Sequence, residues 1–209
     1  MVRLHIDPDC PSPELLREAG DAIRRGGVVA YPTDTFYGLA VDPRSTGSVE
    51  ELYRVKQRDP DRPVPLIAAD EDQVLQQVGP MTEAARRLAA RFWPGPLTLV
   101  IEAAPSLCAG VRGSGQRVAV RVPADLIARS LAGTTGHPIT ATSANLSGQK
   151  PASTADEVAA VLGESIDLLL DAGALPGRLP STIVDVTGPG PVLVRMGAVS
   201  WERVLESFK

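Results

Sequence analysis

The run Arg117-Val118-Ala119-Val120-Arg121-Val122 alternates apolar with other residues without a break. Successive side chains of a strand face opposite ways, so Val118, Val120 and Val122 enter a core while Arg117, Ala119 and Arg121 line the other face. A chain with such a strand must build a sheet that is covered on one side and carries two guanidinium groups on the other. Short apolar runs predict further strands over Val28–Tyr31, Val64–Ala68, Leu97–Glu102, Pro138–Thr142, Asp167–Leu170, Thr182–Val186 and Val192–Arg195. The spacing of Leu15, Leu16, Ala19, Ala22 and Ile23 predicts a helix over Pro11–Arg25, stopped by Gly26-Gly27. Other helices are predicted over Ser48–Val55, Asp70–Val78, Thr82–Phe92, Thr154–Leu162 and Ser200–Ser207, with Ser48 and Glu51 in the capping-box spacing. Some connections are hairpin-short and others are helical, so the expectation is an α/β fold with a mixed sheet.

Composition narrows what such a fold can do. The chain has 209 residues, 44% hydrophobic and 22% charged, with no Gly/Ser-rich linker, charge block or internal repeat, so one domain spanning 1–209 is expected. A net charge of −4 argues against a general electrostatic grip on nucleic acid, so any polyanion must be met locally. The longest apolar stretches, such as Leu97–Ile101, fall far short of the roughly 20 residues of a membrane helix. Met1–Cys10 is polar, with Asp7, Pro8 and Asp9, and does not read as a signal peptide, so a cytoplasmic location is expected. Cys10, Cys108, His5 and His137 stand apart from one another, which gives no support to zinc or iron–sulfur chemistry; no protein metal site is expected.

Three segments could carry chemistry. Arg54, Lys56 and Arg58 lie where the Ser48 helix ends, with Arg62 close behind. Residues two apart on a helix do not share a face, so Lys56 and Arg58 can grip one anion only if the chain is extended there, as Pro60, Pro63 and Pro65 encourage. The alternative is a solvated basic helix end set against the helix dipole. Ala141-Thr142-Ser143-Ala144-Asn145-Leu146-Ser147-Gly148 follows a predicted strand, where α/β proteins bind ligands, although an ordinary Ser/Asn turn closed by Gly148 has the same composition. A serine nucleophile at Ser143 would have only His5 or His137 as base and lacks the G-x-S-x-G elbow. Thr33, Thr35 and Tyr37 share a face if extended, and Gly38 permits a close approach or a sharp turn. Arg112-Gly113-Ser114-Gly115-Gln116 matches neither a P-loop nor a dinucleotide turn and reads as a flexible loop beside the pocket.

In order along the chain, these segments resemble the YrdC/TsaC family, the threonylcarbamoyl-AMP synthases of tRNA modification. The resemblance rests on Pro32-Thr33-Asp34-Thr35-Phe36-Tyr37-Gly38-Leu39, a K-x-R at Lys56-Gln57-Arg58 and an S-x-N at Ser143-Ala144-Asn145. It continues through Ser181-Thr182-Ile183-Val184-Asp185 and Arg195-Met196-Gly197, covering nearly the whole chain. It implies one YrdC-like domain, a twisted mixed sheet flanked by helices around a concave pocket. It also implies a nucleotidyltransferase that makes threonylcarbamoyl-adenylate and pyrophosphate from L-threonine, bicarbonate or CO2, and ATP. Magnesium would travel with the phosphates, and a separate tRNA transferase complex would take the product.

Carried across residue by residue, the resemblance places Thr35, Arg121 and Ser181 at the threonine. Lys56, Arg58, Arg62, Ser143, Asn145 and Arg195 would hold the nucleotide, with Lys56 and Arg58 catalytic. Asp59 and Met196 stand where many members have proline, and Pro65-Leu66-Ile67-Ala68-Ala69 lacks the histidine of archaeal-type members. The chain ends soon after Arg195, so the short bacterial type is expected. Two rivals remain. One is an inactive paralogue binding RNA, against which stand both motifs and the acidic balance, which leaves only weak RNA binding. The other is a hydrogenase-maturation carbamoyl-transfer enzyme, which requires a longer chain and more cysteines.

Overall fold

The computed structural model describes residues 1–113, 115–177 and 179–209. Among the described residues, eleven strands form two sheets where the sequence reading expected one. The five-stranded sheet has the order β1 (Val2–His5), β9 (Leu168–Asp171), β2 (Val29–Tyr31), β3 (Gly38–Ala40), β8 (Thr142–Ser143). The six-stranded sheet has the order β11 (Val192–Arg195), β10 (Thr182–Asp185), β5 (Leu97–Glu102), β6 (Arg117–Arg121), β4 (Leu66–Ile67), β7 (Ile139–Thr140). Parallel and antiparallel neighbours occur in both sheets.

One core is shared between them. Ala30, Leu39 and Leu169 of the first sheet belong to the same buried cluster as Leu97, Leu99, Val118, Val120 and Val184 of the second. Helices α2 (Thr46–Lys56), α4 (Glu83–Phe92) and α6 (Ala155–Leu162) add Leu52, Leu88 and Val158 to it. The opposite face of the first sheet is covered by α1 (Pro13–Arg24) and α5 (Leu126–Thr135), through Leu16, Ile23, Ile127 and Leu131. The helices bury one apolar face each, as their period of 3.6 requires, whereas the central strands β2, β3 and β9 are buried throughout.

Several expectations need correction. The predicted strand over Pro138–Thr142 is two short strands that join different sheets, with the break at Ala141, whose N–H donates to the Pro65 carbonyl at 2.8 Å. The predicted helix over Asp70–Val78 is a short α3 (Glu71–Gln73) running into a π-helical turn at Val74–Val78. Helix α2 starts one turn earlier than expected. Ser45 caps it, accepting from the Ser48 N–H at 3.3 Å, and Glu51 pairs with Arg54 instead of closing a capping box. The capping box in the structure is Thr154 with Glu157 at the start of α6. Strands β1 and β3 and helix α5 are additions to the predicted set.

Candidate functional site

The register of the six-stranded sheet builds one half of the site. Val100 pairs with Ala119 and Leu99 with Val120, so the antiparallel ladder sets Thr98 opposite Arg121; Thr98 pairs with Ile183, and Ile183 with Arg195. Arg121, Thr98, Ile183 and Arg195 thus form a lateral row on one face, opposite to the core face of Val118, Val120 and Val184. This is the arginine-bearing face that the alternation demands, although Arg117 lies at the far end of β6, paired with Asp185 at 3.1 Å.

Within the row, Ser181 Oγ lies 2.7 Å from Thr98 Oγ1, and Arg195 donates through Nη2 to the Ser181 carbonyl at 2.8 Å. The guanidinium of Arg195 sits below the usual arginine range because it is partly desolvated and shares its face with the like-charged Arg121. Gly197 allows this arrangement: a Cβ there would stand 2.2 Å from the Pro180 carbonyl oxygen and 2.5 Å from the Ser181 carbonyl carbon. Arg121 is 8% exposed, and its Nη1 donates to both carboxylate oxygens of Asp34, at 3.0 and 3.1 Å. The sequence reading did not assign Asp34 a role; its place in the Pro32–Leu39 motif was the available signal.

Asp34 and Thr35 lie on the connection from β2 to β3. The segment is bent there and not extended, because Thr33 Oγ1 accepts from the N–H groups of Thr35 and Phe36 at 3.2 and 3.3 Å. Thr35 and Tyr37 therefore do not share a face. Tyr37 is fully buried, its Oη donating to the Gly173 carbonyl at 2.8 Å, whereas Thr35 stays half-buried beside Asp34. Gly38 serves a close approach: a Cβ there would meet the Tyr31 ring at 3.2 Å.

Gly38 also pairs with Ser143, and this brings in the other half. Lys56, the last residue of α2, is 1% exposed. Its Nζ donates to the Ser143 carbonyl at 2.5 Å and the Asn145 carbonyl at 2.8 Å, with Asn145 Oδ1 at 3.5 Å. Burial, aided by nearby Arg58, brings its pKa down to about 8. Asn145 is fully committed. Its Oδ1 accepts from Ser143 Oγ at 2.5 Å, and its Nδ2 donates to the Leu146 and Gln149 carbonyls, both at 2.8 Å. Neither histidine bonds to Ser143: His5 lies 3.0 Å from Asp171, and His137 Nδ1 lies 2.8 Å from the Pro138 carbonyl. The serine-nucleophile reading has no geometric base.

Lys56 and Arg58 are not brought together by an extended chain. Gln57 takes a left-handed conformation, φ 49°, and the Arg58 N–H returns to the Tyr53 carbonyl at 3.0 Å. This turns Lys56 inward while Arg58 stays half-buried, its Nε donating to the Arg62 carbonyl at 2.9 Å. Arg62 uses that carbonyl in the site's frame, and its side chain is exposed. Arg58 also lines a cavity of about 540 Å³ with Val49, Tyr53, Arg54 and Cys108, away from the arginine row. In the loop read as flexible, the Gly113 N–H donates to the Arg117 carbonyl at 2.8 Å, at the end of β6 remote from Arg121, and Ser114 lies outside the described residues.

The arrangement offers a caged ammonium at a strand end, and across the Asp34–Gly38 segment a pair of arginines with hydroxyls between them. The arginines can bond to an anionic group, and the ammonium lends positive charge to the strand end.

The chain is similar to known proteins over nearly its whole length. A putative threonylcarbamoyl-AMP synthase of Mycobacterium tuberculosis is 37% identical over 202 residues, spanning 95% of this chain and 93% of that one. The structure of Pyrococcus abyssi Sua5 complexed with L-threonine superposes with a TM-score of 0.93 at 33% identity, covering 99% of this chain and 61% of that longer one. Escherichia coli YciO superposes at 0.86 with 28% identity, covering 96% of this chain and 98% of its own. The family profile Sua5_yciO_yrdC, described as "Telomere recombination", matches residues 21–197. By that match and those identities, the chain belongs to the Sua5/YciO/YrdC family.

Proposed function

We propose that this chain is a threonylcarbamoyl-AMP synthase, joining L-threonine, bicarbonate or CO2, and ATP into threonylcarbamoyl-adenylate and pyrophosphate. The observation that carries the reading is the junction of two halves at one segment: Asp34 meets Arg121, and four residues on Gly38 pairs with Ser143 beside Lys56. A carbamate formed on the threonine nitrogen attacks the α-phosphorus of ATP. A P–O bond forms to the carbamate oxygen, the bond to the bridging oxygen breaks, and pyrophosphate leaves with that electron pair. Little covalent work falls to the protein, so its contribution is positioning and neutralisation of charge.

Arg58 meets the phosphates directly, with Arg62 and Arg195 at the edges, and Lys56 adds its positive charge from behind Ser143 and Asn145, whose oxygens hold its ammonium. Ser143 and Asn145 line the nucleotide and hold Lys56 in place. Arg121 and Ser181 receive the threonine carboxylate, and Thr35 stands beside them. The oxygens around Lys56 are carbonyl and amide groups already bonded to the ammonium, with no carboxylate among them. A magnesium ion would therefore be held by the phosphates themselves.

The product is an activated acyl group suited to transfer onto a tRNA adenosine by a separate complex in the cytoplasm, with at most weak RNA contact by this chain. Among the described residues, no helix is long and apolar enough to cross a membrane. The test is pyrophosphate release by the purified chain, expected only when ATP, threonine and bicarbonate are all supplied. Release that ignores threonine would rule out the substrate, and tight RNA binding without release would favour the inactive paralogue.

A further inference from the structure

We infer that Asp34 holds the ammonium group of the amino-acid substrate, so that Asp34 and Arg121 together read a zwitterion; the inference rests on the synthase reading above. Arg121 belongs to the six-stranded sheet and Asp34 to a connection of the five-stranded one, so their pair spans the site and is not part of either ladder. Its geometry is one-sided. Both Asp34 oxygens lie on the single nitrogen Nη1, at 3.0 and 3.1 Å, and not on the two-nitrogen fork through which arginine grips a carboxylate best. The fork edge of Arg121 is thus not used by Asp34.

Charge counting points the same way. Arg121 and Arg195 carry like charge on the same face of the sheet, and Asp34 bonds to Arg121 alone. Asp125, the other carboxyl near Arg121, caps α5 by accepting from the Ala128 N–H at 2.8 Å, and burial raises its pKa. With Asp125 committed to the helix cap and Asp34 on Nη1 alone, the fork edge of Arg121 is the part that can take a ligand carboxylate. An α-amino acid carries its carboxylate and its ammonium on the same carbon, and its complement is a guanidinium and a carboxylate side by side. Asp34 and Arg121 form such a pair, with side chains 17% and 10% exposed, where desolvation strengthens both contacts. The Thr33-capped bend fixes where Asp34 stands.

The experiment measures binding of L-threonine and of 3-hydroxybutyrate, which is threonine without its ammonium, by calorimetry on the full chain with ATP present. The wild type should bind threonine about ten-fold or more tightly than 3-hydroxybutyrate, the scale of a lost hydrogen bond between charged groups. Asp34→Asn keeps the shape and an acceptor for Arg121. It should weaken threonine about ten-fold while leaving 3-hydroxybutyrate unchanged or tighter, and Asp34→Glu should recover part of the loss. Threonine binding unchanged or tightened in Asp34→Asn would overturn the inference, since Asp34 would then be a structural partner or a competitor for Arg121. If Asp34→Asn does not fold, the wild-type comparison still decides: equal affinity for the two ligands overturns it. A wild type that binds neither ligand removes the synthase reading itself.

Discussion

Lys56 Nζ donates to the Ser143 backbone carbonyl at 2.5 Å, which ties the end of α2 to β8, 87 residues along the chain. The ammonium is both a buried structural donor and the positive group nearest the strand end. Its two roles can be separated by substitution.

Lys56→Met fills the space but leaves the Ser143 and Asn145 carbonyls without their donor. Unpaired buried acceptors cost about 1–3 kcal/mol each, so urea unfolding should show a loss of about 3 kcal/mol together with near-complete loss of pyrophosphate release. Arg58→Ala removes only exposed contacts to the Arg62 and Pro63 carbonyls. It should lower turnover by about 10²-fold or more and stability by less than about 0.5 kcal/mol. Full turnover in the Arg58 variant would refute its placement at the phosphates.

The lowered pKa of Lys56 sets a pH window. Its amine is charged below about 8 and neutral above. If the charge is needed, kcat/KM for ATP holds below that value and falls as pH rises through it. Lys56→Arg, should it turn over, would not show this alkaline limb. For folding the sign is reversed. An unfolded lysine keeps its proton up to its ordinary pKa of 10.5, so between about 8 and 10.5 the unfolded chain binds more protons and the Lys56 contribution to stability rises with pH. Opposite slopes of activity and stability over that range are the expected signature.

Gly197 supports the other half of the site. Gly197→Ala would drive a methyl group into the Pro180–Ser181 backbone, which must shift and carry Ser181 and Arg195 with it. Thermal melting should show a loss of about 1–3 kcal/mol, and the KM for threonine should rise. A variant with unchanged KM would show that the Arg195–Ser181 contact does not shape the pocket.

The elements that the sequence determined by itself are those in which local pattern and final environment coincide. Leu97–Glu102 and Val192–Arg195 are strands with the predicted limits, and the alternation over Arg117–Val122 divides the core valines from the arginine-bearing face. Ordered short motifs were enough to bring Lys56, Ser143, Arg121, Ser181 and Arg195 forward as candidates. Helix α5 was missed although Asp125 caps its start and Gly136 ends it in the left-handed region, because Ser130, Gly133, Thr134 and Thr135 weaken its helical character. Strand β1 has only four residues, and its partner β9 lies near the other end of the chain.

What tertiary structure alone decided is non-local. That Ile139–Thr140 and Thr142–Ser143 enter different sheets depends on which distant strands lie beside them, β4 for one and β3 for the other. That Asn145 spends its amide on the frame around Lys56, and that Asp34 lies on Arg121, depends on side-chain partners 89 and 87 positions away. Periodicity reports which face of an element is buried. It does not report which distant charge will stand opposite once that face is covered, and the ligand-reading geometry of this protein is made of such pairings.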